Sequence, residues 1–127
     1  MRNRVDINRD FPFNRNGDIQ CFSSLAARVV SKIYTENIIV GTLTYHGGTE
    51  TISYPWGSFN HIGKKGNDEA PDFRMFDDIS IALWTASSAR GMTPYQRGSL
   101  TDTVYACYGA MEDWAYGVAF DNTNGSQ

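Results

Sequence analysis

Cysteine and histidine are scarce in this sequence, and it contains no long apolar run. Two cysteines, Cys21 and Cys107, allow one disulfide bond at most. We expect both to be thiols, because the sequence does not place their sulfurs within bonding distance. No apolar stretch approaches the roughly 18 residues that cross a membrane. The first residues also lack the apolar core of a signal peptide, so none is expected in this chain.

Basic residues are not in excess either. The 127 residues carry 11 Lys and Arg against 14 Asp and Glu, a formal net charge of -3. Such a balance gives no attraction to nucleic acid or to an anionic membrane surface, so neither is an expected partner. The hydrophobic fraction is 41% and the aromatic fraction 13%, which is enough for a folded core and argues against disorder. The length suits one domain or part of one.

The first regular element predicted is a helix over residues 23–36. Ser23 or Ser24 can cap its N-terminus, since a serine hydroxyl accepts a hydrogen bond from a first-turn amide. Apolar residues recur within it at helical spacing and predict the face that packs on the core. These residues are Leu25, Val29, Val30 and Ile33. Asn37 is expected to end the helix.

A nearly continuous β-branched and uncharged run follows at residues 38–45. This composition is typical of a strand buried on both faces, and residues 51–54 read as a short extension. His46 would then stand at the C-terminal end of the strand, the edge at which open α/β sheets build their sites. Such a strand needs neighbours on both sides, and the rest of the sequence provides too few. We therefore expect this chain to be part of a larger domain.

The remainder of the chain predicts two more helices. They are expected over residues 72–88 and 110–120, with a loop over 57–71 and a loop with short extended pieces over 95–108. The first should end at residues 90–94 and bury one apolar face. That face consists of Phe73, Phe76, Ile79, Leu83 and Ala86. Glu112 and Asp113 in the first turn of the last helix suit the helix dipole. Helices and strands in this order indicate the α/β fold class.

Three segments stand out by their residue types. They are Tyr45-His46-Gly47-Gly48 with the following Tyr54-Pro55-Trp56-Gly57, then Asp6-Ile7-Asn8-Arg9-Asp10-Phe11, and finally the stretch from Tyr105 to Asp113-Trp114. Taken as isolated residues they predict little. His46 has no second ligand at metal spacing, so residue counting does not indicate a metal site. Arg9 would be a solvated arginine and Tyr105 a packed aromatic residue.

In this order and spacing, the three segments resemble the zinc carboxypeptidases of the carboxypeptidase A/B type. The resemblance implies an α/β domain with a mixed sheet and helices on both faces, and an activity that releases C-terminal residues from peptides. It implies Zn2+ as the cofactor, with His46 as the third protein ligand after a His-x-x-Glu pair. It also implies a peptide or protein C-terminus as the partner, and a secreted or vacuolar location.

The same resemblance assigns the substrate contacts. Asn8 and Arg9 match the residues that bind the terminal carboxylate of the substrate, which suits arginine because its guanidinium makes two parallel hydrogen bonds to one carboxylate. Tyr105 matches a tyrosine that closes over the substrate, although the bulky Tyr108 follows where small residues are usual. Glu112 matches the floor of the pocket for the last substrate side chain, where an acid favours Lys or Arg. A solvated first-turn acid is the equal alternative.

Several parts of that family's site have no counterpart in the sequence. No His-x-x-Glu pair is present, and no segment matches the strand that carries the general-base glutamate. We therefore expect residues 1–127 to be a central part of the catalytic domain, inactive in isolation. Two alternatives stay open. One is a non-catalytic carboxypeptidase-like module that binds a peptide C-terminus, and the other is a carbohydrate-binding module that stacks sugars on Trp56, Trp84 and Tyr95.

Overall fold

The computed structural model of the chain describes residues 5–13, 20–63, 66–88 and 95–124. Its helices and strands in chain order are α1 (Leu25–Glu36), β1 (Thr51–Tyr54), β2 (Ile62–Gly63), β3 (Gly66–Asn67), α2 (Phe73–Ser88), β4 (Gln96–Ser99), α3 (Leu100–Thr103) and α4 (Met111–Asn124). The chain divides into two compact units. The first unit combines Met1–Tyr45 with Cys107–Gln127, and the second is the continuous stretch His46–Ala106.

Helix α1 of the first unit confirms the first predicted helix. Ser24 is its N-cap, and the Ser24 hydroxyl accepts a hydrogen bond from the Ala27 amide at 3.1 Å. At the other end Asn37 leaves helical geometry, and its side-chain amide donates to the Ile33 carbonyl at 2.9 Å. Local signals in the sequence therefore define both ends of this helix.

The face of α1 that packs on the core differs from the predicted one. Ala27 is fully buried, and Val30 and Tyr34 pack against the same core. The remaining predicted core positions are exposed instead, namely Leu25, Val29 and Ile33. A small alanine side chain lets the helix backbone approach large aromatic rings closely. With Ala27 facing the rings, the side chains of Leu25, Val29 and Ile33 face solvent.

The core of the first unit is a cluster of aromatic rings around Trp114. The Trp114 ring centroid lies 5.1 Å from that of Phe11, 5.8 Å from that of Phe22 and 5.3 Å from that of Tyr34. Such tilted and edge-to-face pairs bury large apolar area with favourable ring electrostatics. Trp114 lies on helix α4, which confirms the predicted last helix and continues beyond residue 120.

The predicted strand over residues 38–45 is wrong. The segment has no regular secondary structure, and its residues are exposed, with Ile38 at 96%, Val40 at 98% and Tyr45 at 90%. A strand is held by ladder hydrogen bonds to its neighbours. In the described part of the chain, the strands pair only with one another, β1 with β4 and β2 with β3. Strand-favouring composition does not produce a strand where no partner lies alongside.

The second unit is built on a strand–helix–strand crossover. Strands β1 and β4 pair in parallel along their whole length, and helix α2 connects them in sequence and packs against both. The predicted extension at residues 51–54 and the helix over 72–88 are thus confirmed. The segment 57–71, predicted as a loop, contains the short antiparallel pair β2–β3. Helices with parallel and antiparallel strands confirm the α/β class.

Helix α2 packs through a face shifted from the predicted one. Ser80 is buried, and its hydroxyl accepts a hydrogen bond from the Arg97 guanidinium of β4 at 2.9 Å. Three residues predicted to be buried are exposed instead, namely Ile79, Leu83 and Ala86. Phe73 and Phe76 do pack as predicted, with their rings against β1. The predicted helix end at residues 90–94 lies outside the described residues.

The fold also bears on the state of the two cysteines and on membrane-spanning helices. Cys21 and Cys107 are thiols and do not form a disulfide, as expected. Among the described residues, no helix combines the length and the apolar composition needed to cross a membrane.

Candidate functional site

Asn8 and Arg9 lie in a 3₁₀ turn, Ile7–Arg9, that two aspartates bracket. Asp6 accepts a hydrogen bond from the Asn8 amide at 3.0 Å, and the Asp10 amide donates to the Ile7 carbonyl at 3.2 Å. The Arg9 guanidinium bends back to donate to the Asn8 carbonyl. Local bonds therefore hold the two predicted carboxylate-binding residues in one compact turn, named here the Asn–Arg turn (residues 6–10).

The side chain of Asn8 joins this turn to the start of helix α4. Its Oδ1 accepts a hydrogen bond from the Met111 amide at 2.8 Å, and its Nδ2 donates to Glu112 Oε1 at 3.4 Å. The Met111 amide is one of the first-turn donors that have no partner within the helix, so Asn8 satisfies it from outside. The structure thus brings together Asn8 and Glu112, two of the predicted site residues.

Glu112 is half-buried, and its carboxylate contacts other parts of the first unit. Oε1 also accepts a hydrogen bond from the Thr44 hydroxyl at 3.2 Å, and Oε2 is shielded from solvent. Glu112 is a first-turn acid, as both interpretations require. These contacts go beyond those of a solvated surface acid. Sequence reasoning missed Thr44, and its position two residues before His46 was the only available signal.

The thiol of Cys107 lies close enough to Arg9 to interact with its charge. The thiol is buried, and burial raises its pKa, while the nearby Arg9 cation opposes that rise. The carboxylates of Asp113 and Glu112 raise the pKa further. A buried thiol with a raised pKa carries little thiolate at neutral pH and is a poor nucleophile or metal ligand. We therefore assign Cys107 to the packing of the first unit.

His46 and Tyr105 belong to the second unit, whereas Asn8, Arg9 and Glu112 belong to the first. The side chain of His46 is exposed, and Tyr105 is 57% exposed. The expectation that all these side chains face one cleft stays a prediction.

Helix α3, which ends two residues before Tyr105, is anchored on the segment that follows His46. The Thr101 amide and hydroxyl both donate to the Trp56 carbonyl, at 3.3 Å and 3.1 Å. The hydroxyls of Thr103 and Ser53 are hydrogen-bonded at 2.7 Å. These bonds fix the base of the segment that carries Tyr105, which is 57% exposed.

Trp56 is buried rather than presented on a surface. It is 6% exposed, and its ring stacks on His61 with centroids 4.1 Å apart and planes 5° apart. Burial lowers the pKa of His61, and the Asp68 carboxylate opposes this effect. Sugar stacking needs accessible rings, so the burial of Trp56 contradicts its role in the carbohydrate-binding alternative.

The described residues do not fit a zinc site by themselves. No group of three or more His, Cys, Asp or Glu side chains among them is placed to hold a metal ion. A catalytic zinc site needs three protein ligands. His46 can supply one imidazole donor, and no such three-donor group forms around it within the described ranges.

Comparison with known proteins gives a consistent match. A family model described as zinc carboxypeptidase matches residues 2–123. Carboxypeptidase B of Astacus astacus is 34% identical over 84 residues, which are 66% of this chain and 25% of that protein. Zinc carboxypeptidase A 1 of Drosophila melanogaster is 35% identical over 76 residues, 60% of this chain and 16% of that protein.

A mammalian relative matches at lower identity. Carboxypeptidase A1 of Mus musculus is 25% identical over 88 residues, 69% of this chain and 19% of that protein. The matched part of the chain therefore spans a quarter or less of the length of these relatives.

Proposed function

The chain belongs to the zinc carboxypeptidase family, and from this premise we propose that the whole protein releases single residues from the C-termini of peptides. The observation that carries the proposal is the family match over residues 2–123, which includes all the predicted site residues. In this proposal residues 1–127 form part of the catalytic domain. Zinc is the cofactor and His46 one of its ligands, and the other ligands and a general-base glutamate lie outside these residues.

Recognition of the substrate is assigned to Asn8, Arg9 and Tyr105. A peptidase that acts only at C-termini must bind a free carboxylate, and a guanidinium does so with two parallel hydrogen bonds. The compact geometry of the Asn–Arg turn supports this role, because it holds Arg9 on a short, internally bonded segment. Tyr105, exposed next to an anchored helix, is proposed to cover the bound substrate.

Glu112 is proposed to favour substrates that end in Lys or Arg. Its carboxylate is half-buried, and a partly desolvated charge is stabilised by an opposite charge in the pocket. An apolar substrate end would leave that carboxylate unmatched. Peptide C-termini are accordingly the proposed partners, with no role for nucleic acid or membranes, and a secreted or vacuolar location is proposed from the family resemblance.

The test is residue release by the whole protein loaded with zinc. Peptides ending in Lys, Arg, Phe or Leu should lose one residue at a time, and the same peptides with an amidated C-terminus should not react. Arg9→Ala should raise KM for every free-acid peptide, because it removes the charge that binds the carboxylate. Equal cleavage of amidated and free-acid peptides, or no release at all, would overturn the proposal.

A second candidate is a non-catalytic module that binds peptide C-termini. It is favoured by the Asn–Arg turn, which is held by its own hydrogen bonds and can bind a carboxylate without a metal. Binding of a free-acid peptide that depends on Arg9, without hydrolysis by the zinc-loaded whole protein, identifies this alternative.

A further inference from the structure

Asp10, the residue after Arg9, is held from two sides by a loop that leads into helix α1. Asp10 is 2% exposed. Its carbonyl accepts a hydrogen bond from the Phe22 amide at 2.8 Å, and its two carboxylate oxygens accept from the Ser23 and Ser24 amides at 3.0 Å and 2.7 Å. Three consecutive amides therefore converge on one residue of the Asn–Arg turn.

From this geometry we infer that Asp10 is a positioning residue, which sets the place of the Arg9 guanidinium for the terminal carboxylate of the substrate. The inference rests on the proposed function, since it concerns the same carboxylate. A buried carboxylate is stable only if hydrogen bonds replace its water, and here charge-assisted bonds from backbone amides do so. The position at the N-terminus of α1 adds the favourable helix dipole.

The loop that holds Asp10 is itself bonded to a side chain of α1. The Arg28 guanidinium, from the first turn of α1, donates to the carbonyls of Phe22 and Ser23 at 3.0 Å and 2.9 Å. Phe22 adopts a left-handed backbone conformation with φ of 54°, which turns the loop back on itself. The backbone amides of this loop thus donate to Asp10, and two of the loop's carbonyls accept from Arg28. Through these bonds, the position of α1 determines the position of the Asn–Arg turn.

The chain on the other side of Asp10 is fixed as well. The Phe11 amide donates to the Gly109 carbonyl at 3.2 Å, and the Phe11 ring is fully buried in the aromatic core. Asp10 is therefore the point where the Asn–Arg turn joins the packed interior of the first unit. If its carboxylate is lost, the two amides at the start of α1 lose their acceptors, and the turn that carries Arg9 shifts.

The experiment compares Asp10→Asn with the wild-type whole protein in steady-state cleavage. The asparagine keeps the shape but offers one acceptor oxygen, and its NH2 group opposes the second amide. A displaced guanidinium weakens binding of the substrate in the ground state and in the transition state alike. KM should therefore rise with little change in kcat. We expect KM to rise roughly tenfold to a hundredfold, the scale on which misplacement of a positioning group acts.

A carboxylate probe separates positioning from general loss of structure. N-acetylarginine should inhibit Asp10→Asn more weakly than wild type, by the same factor as the rise in KM. Inhibition by its amide, which has no carboxylate, should be equal in both proteins. Ser24→Ala is the matched control: it removes the hydroxyl cap of α1 and lowers stability, yet the backbone amide of residue 24 still binds Asp10. Its KM should stay at the wild-type value.

Arg28→Ala provides a second variant if Asp10→Asn does not fold. Arg28 is exposed and holds the same loop through its carbonyls, so its removal should raise KM by a few-fold through the same route. An unchanged KM in a folded variant, or equal KM values for Asp10→Asn and Ser24→Ala, overturns the inference. If the wild-type protein does not hydrolyse peptides, the proposed function fails. The inference is then decided by affinity for a free-acid peptide, which Asp10→Asn should lower and Ser24→Ala should not.

Discussion

Asn8 and Glu112, 104 positions apart in the sequence, share a hydrogen bond of 3.4 Å. The Asn8 side chain accepts from the neighbouring Met111 amide at 2.8 Å, so both ends of one amide group contact the first turn of α4. The turn proposed to bind the substrate carboxylate is therefore joined directly to the acid proposed to select the substrate side chain. A change at Glu112 can act through the pocket or through Asn8.

Glu112→Gln separates these two routes. The glutamine keeps an oxygen that can accept from Asn8, but it removes the charge. If Glu112 lines the pocket, cleavage of peptides ending in Lys or Arg should fall by about tenfold in kcat/KM, between the effects of exposed and buried ion pairs. Peptides ending in Phe or Leu are the control and should change little. An equal loss for both classes means that Glu112 acts by orienting Asn8.

The 127-residue chain should not hold zinc tightly. Its described residues include no group of three metal donors, and one histidine cannot compete with water for the metal. Metal analysis after dialysis should find far less than one zinc per chain, and His46→Ala should give the same result. One retained zinc per chain that disappears in His46→Ala contradicts this expectation, as does peptide cleavage that a chelator abolishes.

The exposed apolar run at residues 38–45 should make the isolated chain associate. An uncharged, β-branched segment that is exposed and not paired in a sheet favours pairing with copies of itself. Val40 is 98% exposed, so Val40→Lys should reduce association without disturbing the core. Ala26→Lys, which adds the same charge at an exposed position of α1, is the control and should leave association unchanged. Sedimentation velocity measures the outcome, and a monomeric wild-type chain with a sharp thermal transition contradicts it.

Gly117 on α4 should resist replacement. A Cβ atom at this position would overlap the ring of Phe13. Alanine normally stabilises a helix by about 1 kcal/mol relative to glycine. Here the overlap should reverse the sign and cost roughly 1–3 kcal/mol of unfolding free energy. Gly41→Ala is the matched control, because a Cβ there meets nothing within 4 Å. Chemical denaturation of the whole protein decides the point, and a gain in stability for Gly117→Ala would show that the ring moves aside freely.

Protonation of His61 should destabilise the fold. Burial against Trp56 lowers the pKa of His61 in the folded state, so the unfolded chain takes up the proton first as pH falls. The stability that neutral His61 contributes is therefore fully present above the unfolded pKa of about 6.5. It is lost as pH falls through the lower pKa of the folded state. His61→Gln should flatten this pH dependence. Asp68→Asn should steepen it, because Asp68 is the charge that opposes the shift, with Oδ2 lying 3.9 Å from His61 Nδ1. Identical pH profiles for all three proteins contradict the assignment.

Features with local causes were predictable from the sequence. The ends of α1 follow from a serine cap and an asparagine side chain, each acting within four residues. The Asn–Arg turn could be identified because its residue types appear together in one short segment. Helix α4 was predictable for the same reason, from acids at its first turn.

Features that depend on distant residues were not predictable. Residues 38–45 have the composition of a buried strand, but a strand is defined by its neighbours, and composition does not supply them. The buried face of α1 could not be chosen from the sequence, because an apolar stripe through Leu25 and one through Val30 are equally plausible. In the structure, the side that carries Ala27 packs on the aromatic core. The Thr44–Glu112 bond joins residues 68 positions apart, and no local pattern reports it.

The division of the chain into one continuous unit and one interrupted unit has a consequence during synthesis on the ribosome. Phe11, Phe22 and Tyr34 are made early, but the Trp114 ring on which they pack emerges only after the whole second unit, His46–Ala106. The second unit can fold as soon as β4 has left the ribosome, while the aromatic rings of the first unit stay exposed to solvent. In that interval, α4 from another nascent chain offers the same packing surface. Translation that pauses after residue 106 should therefore favour exchange of α4 between copies over correct closure.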